Sequence, residues 1–159
     1  MSIQIERATI NELYLLAPLF DAYRVFYEQA SDMELAKRFL QQRILKQESV
    51  IFLATESTAT TATTAGLGFV QLYPSFSSVS AQRLWILNDL FVAPEARRRG
   101  VAIALMNQAK AFATEDGAKG LFLETAHDNT HAQALYETLG YTKNPEFYYF
   151  LPERIKKQQ

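Results

Sequence analysis

The stretch LNDLFVAPEARRRGVAI, residues 87–103, decides how this chain folds. Its first part is rich in β-forming residues, and Pro94 ends the strand near Ala93 because proline has no amide hydrogen to pair. Three arginines and Gly100 follow, and the apolar spacing predicts that a helix begins directly after them. The first amides of a helix lack partners within it and lie at the positive end of its dipole, so this turn predicts an anion-binding site.

On both sides of this stretch, the spacing of apolar residues predicts a mixed α/β fold. We expect a central twisted mixed β-sheet flanked by helices, in the order β-α-α-β-β-β-α-β-α-β. In chain order, the predicted segments are a strand at 3–6, a helix at about 10–28, a helix after a capping signature at 31–34, strands at 50–55, 66–73 and 84–92, a helix at 101–115, a strand at 121–126, a helix at 129–139 and a strand at 147–151.

Local signals refine these boundaries. Thr9 and Glu12 form a capping box at the start of the first helix, and Ser31 with Glu34 repeats that signature before the second. Gly117 and Gly140 are expected to close the helices that precede them. The threonine- and alanine-rich tract at 57–65 predicts a flexible hairpin loop, and the lysines and glutamines at the end of the chain are expected to fray.

Length and composition limit the kinds of function that need to be considered. With 159 residues, 48% of them hydrophobic, we expect a single domain over residues 1–159. A formal charge of −1 gives no general attraction to nucleic acid or anionic lipid, so we expect neither as a partner. The absence of cysteine excludes disulfides, thiolate metal ligands and cysteine nucleophiles. No apolar run is long enough to span a membrane, and we expect a soluble, cytoplasmic protein.

A run of three arginines, judged by composition alone, is more often a solvated basic face than a binding site. Here, however, RRRGVA at 97–102, preceded by NDLFVAP at 88–94, resembles motif A of the GNAT superfamily of N-acetyltransferases, Gln/Arg-x-x-Gly-x-Gly/Ala. The resemblance implies acetyl-CoA as cosubstrate, with its pyrophosphate on the amides of 98–103 and its pantetheine arm paired to the strand backbone at 90–92. The implied cofactor-binding residues are Leu90, Phe91, Val92, Arg97, Arg98, Arg99, Gly100, Val101, Ala102 and Ile103.

The segment NTHAQALYETLGY at 129–141 is similar to motif B of the same family. Considered without the family, Asn129 is a helix N-cap and Tyr136 a packed amphipathic residue. The resemblance implies that Tyr136 is the general acid that protonates the departing CoA thiolate, that Asn129 bonds the pantetheine arm, and that a strand amide near Val92 stabilises the oxyanion.

The general base is less well defined. Related small-amine acetyltransferases often carry a glutamate where this chain has Asn88, and asparagine cannot accept the proton. Asp89 and Glu124 are the nearby carboxylates, and we name Asp89 as the candidate, although each could instead be structural and a water chain could serve equally. His127 and His131 have helical spacing but lack a third convergent ligand, so we expect no metal.

We therefore expect an enzyme that transfers an acetyl group from acetyl-CoA to a primary amine, with a polyamine or an amino acid as the acceptor. A protein lysine or N-terminal acetyltransferase and a non-catalytic acyl-CoA-binding sensor are the alternatives. The aromatic segment at 147–151 is expected to pair across a homodimer. The residues that could line the acceptor pocket are Arg24, Phe26, Tyr27, Tyr73, Phe76 and Tyr148.

Overall fold

The structure, a computed structural model, describes residues 2–58 and 61–153. The chain divides into two compact units, one up to Glu124 and one from Thr125 onward, which are described separately. The first unit holds a five-stranded sheet and three α-helices, and the second holds one α-helix. The mixed α/β fold expected from the sequence is thus confirmed.

The sheet follows chain order, β1-β2-β3-β4-β5. Its first three pairings are antiparallel, and β4 pairs with β5 in parallel. Short 3₁₀ turns at Ile10–Glu12 and Pro94–Ala96 precede α1 and follow β4. The bounds are β1 Ile3–Arg7, α1 Leu13–Phe26, α2 Met33–Leu45, β2 Val50–Thr58, β3 Thr61–Ser77, β4 Gln82–Val92, α3 Val101–Glu115, β5 Gly120–Phe122 and α4 Thr130–Thr138.

Helices cover both faces of the sheet. Phe20 of α1 packs on Phe69 of β3, with 6.0 Å between ring centroids, while Phe112 of α3 packs on Phe52 of β2 at 5.7 Å. Phe69 is paired with Leu53, so these two side chains lie on the same face of the sheet. Phe52 is the neighbour of Leu53 and points to the opposite face, because successive side chains of a strand alternate. The helices α1 and α3 therefore lie on opposite sides of the sheet. The side chains buried between them include Leu16, Leu40, Ile51, Leu53, Val70, Leu72, Leu105 and Met106.

The capping predictions are mostly confirmed. Thr9 accepts from the amide of Asn11 and its own amide donates to Glu12, which completes the predicted capping box. The prediction that Ser31 caps α2 is wrong, because Asp32 accepts from the amide of Leu35 at 3.0 Å. The Ser31 hydroxyl instead donates to the buried carboxylate of Asp21 at 2.6 Å, which ties the α1–α2 connection to α1.

Three predicted segments differ from the structure. The expected loop at 57–65 is largely strand, with Ser57 paired to Thr64, because threonine is β-branched and favours strands; residues 59 and 60 lie outside the described part. The strand expected at 121–126 is shorter, Gly120–Phe122. The strand expected at 147–151 is not formed, and the described part of the second unit holds no strand for it to pair with. The expected fraying of the lysines and glutamines falls at 154–159, outside the described residues.

Candidate active site

Strand β4 has one edge that is only partly covered. Its parallel pairing with β5 ends at Ile86 opposite Phe122, so beyond this point no described strand lies on that edge. The amide of Ala93 donates to Leu67 on β3, and backbone groups alternate in direction along a strand, so those of Leu90 and Val92 face the open edge. Of the predicted pantetheine contacts, Leu90 and Val92 therefore turn their backbone groups to the open edge, whereas the backbone of Phe91 faces β3.

The turn after β4 ends in an uncapped helix N-terminus. Arg98 and Gly100 both have left-handed backbone conformations, with φ of 63° and 78°. Gly100 is the N-cap of α3 and offers no side chain to the helix amides, and the amide of Ala104 is the first to bond within the helix, to Gly100 O at 3.0 Å. The amides of Val101, Ala102 and Ile103 are thus left for an outside acceptor, as the sequence pattern requires of an anion site.

The three arginines of the turn are exposed, and the structure gives each a different environment. Arg97 Nε donates to the carbonyl of Val92 at 3.3 Å, on the open edge of β4. Arg99 forms an ion pair with Glu56 of β2, which anchors the turn to the sheet. The hydrogen bond that Arg99 donates holds the pKa of Glu56 below the usual value. Arg98 makes no ion pair within the described residues, so its guanidinium is available to an anion.

A β-bulge at Asn88 sets the position of Asp89. Gln71 is paired with Asp89 but Leu72 with Leu87, so Asn88 is the extra residue of β4. The carboxylate of Asp89 is 4% exposed and accepts from Tyr23 Oη at 2.8 Å, from Asn88 Nδ2 at 2.9 Å and from Gln71 Nε2. Asp89 is thus a buried carboxylate held by three donors beside the bulge.

Two tyrosines border this carboxylate on the α1 face of the sheet. Burial and then the nearby charge of Asp89 raise the pKa of Tyr23, and the same two causes raise the pKa of Tyr73 to about 12. The Tyr23 ring also meets Phe69 and Phe91 edge-on, with centroids 5.7 and 6.1 Å apart. Both phenols stay protonated at neutral pH, so Tyr23 can donate to Asp89 and accept from another group.

Sequence reasoning missed two members of this cluster. Tyr23 lies in the helix predicted at about 10–28, and the helical pattern gives no sign that its hydroxyl reaches 66 residues along the chain to Asp89. Gln71 is fully buried, and its side-chain oxygen has no hydrogen-bond partner among the described residues. A glutamine inside an otherwise apolar strand is the signal that could have identified it, because a buried amide needs a polar partner.

The other predicted site residues of the first unit are dispersed. Glu124 is exposed and lies just beyond β5. Phe26 and Tyr27 are exposed at the end of α1, by 63% and 61%, and Phe76 lies under the guanidinium of Arg83. Arg24 is partly buried, and its Nη1 has no hydrogen-bond partner among the described residues. Of these residues, Tyr27 reaches the Asp89 cluster through its ring, whose centroid lies 5.1 Å from that of Tyr23.

The second unit carries the motif B residues. Asn129 Oδ1 accepts from the amide of Ala132 at 3.2 Å, so Asn129 is the N-cap of α4, and its side-chain nitrogen is the donor that remains. Tyr136 follows seven residues later on the same side of the helix, about 10 Å along its axis. Its ring lies 6.1 Å from that of Tyr141, whose buried hydroxyl has a pKa raised by burial. Tyr148 is 73% exposed in the irregular end of this unit.

Within residues 2–58 and 61–153 there is no group of three or more histidine, cysteine, aspartate or glutamate side chains that could hold a metal ion. None of the helices described is long and apolar enough to cross a membrane.

An open strand edge that leads to an uncapped, arginine-flanked helix N-terminus defines a site for an extended ligand with an anionic end, and sequence comparison identifies the family. The model of the Acetyltransferase (GNAT) family matches residues 16–141. This match covers most of the chain, so the protein belongs to the GNAT family and is an acetyl-CoA-dependent N-acetyltransferase.

Similar proteins agree with this assignment. The chain is 45% identical over 148 residues, 93% of this chain and 95% of the other, to a protein of Bacillus subtilis (strain 168) named as the uncharacterized N-acetyltransferase YhfO. It is 34% identical over 132 residues to a probable acetyltransferase of Haemophilus influenzae, covering 83% and 85% of the two chains. A crystal structure of a probable acetyltransferase superposes with a TM-score of 0.87 at 45% identity, covering 96% of this chain and 99% of that one.

Proposed function

We propose that this enzyme acetylates a small primary amine, such as a polyamine or an amino acid, by direct attack on acetyl-CoA. The observation that carries the proposal is the open edge of β4, which runs from the cradle at Gly100 back to the bulge at Asn88. From Val92 to Asn88 this edge is about 13 Å long. An extended pantetheine arm that pairs with it would bring the thioester to the bulge, beside the Asp89 cluster.

The cofactor contacts follow from the same geometry. The pyrophosphate would lie on the amides of 98–103, with Arg98, which makes no ion pair among the described residues, as a cation beside it and Arg99 fixing the turn through Glu56. The pantetheine amides would pair with Leu90 and Val92, which requires the Arg97 side chain to leave the Val92 carbonyl. We propose that Asn129 contributes a further hydrogen bond to this arm through its side-chain nitrogen.

The transfer itself forms one bond and breaks one. The amine nitrogen bonds to the thioester carbonyl carbon, the carbon–sulfur bond breaks, the nitrogen loses a proton and the CoA thiolate gains one. We propose that a strand amide near Val92 stabilises the oxyanion and that Tyr136 protonates the thiolate. Asp89 is the proposed proton acceptor, reached through the hydroxyl of Tyr23. An Asp89→Asn variant with wild-type kcat at every pH would remove Asp89 from this role.

We also propose how the protein is organised. The family match spans the boundary between the two compact units, which supports one functional domain over residues 1–159. Five consecutive large apolar side chains at 147–151 are 73–91% exposed, and we propose that they are covered in a cytoplasmic homodimer. Sedimentation that finds only monomer at working concentrations would refute the dimer.

A thiol-release assay with acetyl-CoA and a panel of amines tests the central proposal. Acceptor-dependent CoA release with small amines is expected. Release only with peptides that carry a lysine or a free N-terminus would favour protein acetylation. Binding of acetyl-CoA without any acceptor-dependent release would favour a sensor and refute the proposed enzyme.

A further inference from the structure

A cleft with a cavity volume of 510 Å³ opens on the α1 and α2 side of the sheet, where the end of α2 meets β3. Phe39 and Arg43 of α2 form one wall, Glu48 lies at its rim, and Tyr73 of β3 forms the other wall. Apart from Tyr73, none of these residues was a candidate from the sequence. The cleft thus places an arginine and two aromatic rings next to the sheet on the same face as Asp89.

Arg43 is held in place from two directions. Its guanidinium carbon lies 4.8 Å from the centroid of the Phe39 ring, and its Nη2 is 3.2 Å from Glu48 Oε1. Its Nε is buried and has no hydrogen-bond partner among the described residues, while 23% of the side chain stays exposed. A guanidinium has five donors, and the ion pair with Glu48 does not occupy all of them. Because the plane of the group is fixed, the remaining donors are preorganised to bind a further carboxylate.

Tyr73 connects this cation to the Asp89 cluster. It lies two residues beyond Gln71 on β3 and therefore on the same face, and Gln71 donates to Asp89. Tyr73 is also paired with Ile86, two residues before the bulge at Asn88. Asp89 raises the pKa of the Tyr73 hydroxyl and Arg43 lowers it, so this residue lies within the electrostatic reach of both charges. The cleft thus carries the Arg43–Glu48 ion pair at one end and leads to the carboxylate of Asp89 beside the bulge.

We propose that the acceptor is a primary amine that also carries a carboxylate, an amino acid in the broad sense, with its carboxylate on Arg43 and its amino group directed to the bulge at Asn88. This inference rests on the proposed function, since it names the acceptor of that same site. A polyamine has no group that accepts from the guanidinium donors that Glu48 leaves unused, and it would bring a second positive charge towards them. The cleft therefore selects between the two acceptor classes that the sequence left open.

Matched acceptor pairs test the inference, because they differ only in the carboxylate. Lysine is compared with 1,5-diaminopentane, and 4-aminobutyrate with butylamine, by kcat/KM at saturating acetyl-CoA. A charge-assisted hydrogen bond to the carboxylate predicts a preference of roughly 10- to 100-fold for the amino acid in at least one pair. Arg43→Gln should abolish that preference while kcat/KM for butylamine, which carries no second charge, stays within about twofold.

Arg38→Gln is the control, because Arg38 is exposed on the same helix and its loss changes the net charge equally. It should keep the wild-type preference, and Arg43→Lys should restore part of it. Equal kcat/KM for both members of every pair in the wild type would overturn the inference and leave the proposed function intact. The same holds if Arg43→Gln weakens amino acids and plain amines alike. Absence of CoA release with every acceptor would overturn both.

Discussion

Gly68 of β3 packs against the end of β4 whose other edge is proposed to bind the cofactor, and its replacement by alanine should disturb both stability and cofactor binding. A Cβ atom there would lie 2.6 Å from the carbonyl oxygen of Phe91, 3.2 Å from Val92 Cα and 3.4 Å from a methyl group of Val101. The first contact is about 0.8 Å shorter than an ordinary one and involves backbone, which cannot rotate away. The variant therefore has to push β4 from β3 at Val92.

The expected cost of this overpacking is roughly 1–3 kcal/mol. For a chain of this size, that corresponds to a fall in Tm of about 2–12 °C. KM for acetyl-CoA should rise as well, because the displaced Val92 belongs to the edge that pairs with the pantetheine arm. Thermal unfolding followed by circular dichroism and initial-rate kinetics measure the two effects.

Gly120→Ala is the matched control for Gly68→Ala. Gly120 begins β5, and a Cβ there would meet no atom within 4 Å. The Tm of Gly120→Ala should stay close to that of the wild type, because ordinary surface substitutions change the free energy of unfolding by only about ±0.5 kcal/mol. If Gly68→Ala proved as stable as Gly120→Ala and bound acetyl-CoA equally well, the close packing of Gly68 against the end of β4 would be refuted.

Three further variants test other parts of the site. Tyr136→Phe should lower kcat by about 10²-fold with little change in KM for acetyl-CoA, and an unchanged kcat would remove its general-acid role. Gly100→Ala should raise KM for acetyl-CoA by about 5- to 30-fold, since a left-handed alanine costs roughly 1–2 kcal/mol; an unchanged KM would contradict the cradle. Because Arg99 lowers the pKa of Glu56 from 4.5, this pair stabilises the fold above that value and the stabilisation is lost as pH falls through the lowered pKa. In Glu56→Gln, the denaturant midpoint of unfolding should change less between pH 6 and pH 3 than it does in the wild type. An unaltered pH dependence would show that the pair contributes nothing to stability.

The sequence predicted the elements that depend on residues close together in the chain. The capping box at Thr9 is a contact between residues three apart, and the apolar stripe of α3 has a period fixed by the helix itself. The arginine-glycine turn was found for the same reason, because strand, turn and helix N-terminus are consecutive in the chain. The family assignment depended on such consecutive signals.

Contacts between distant segments were not predictable in this way. The bulge at Asn88 changes which side chains of β4 face α1. It arises from the pairing of β4 with β3, in which β4 contributes one residue more than β3 between paired positions. The Arg99–Glu56 pair joins residues 43 positions apart, and no local pattern links them. The aromatic run at 147–151 has the composition of a strand, but a strand requires a neighbour to bond its backbone.

The most direct test of acetyl transfer is to follow both products in one reaction. Purified protein is mixed with acetyl-CoA and a primary-amine acceptor, and CoA thiol and N-acetylated amine are quantified together against time. We predict that both appear at equal rates, in a one-to-one ratio, and only when protein and acceptor are both present. Release of thiol without acetylated amine, or no release with any acceptor, would contradict the assignment of this chain as a working N-acetyltransferase.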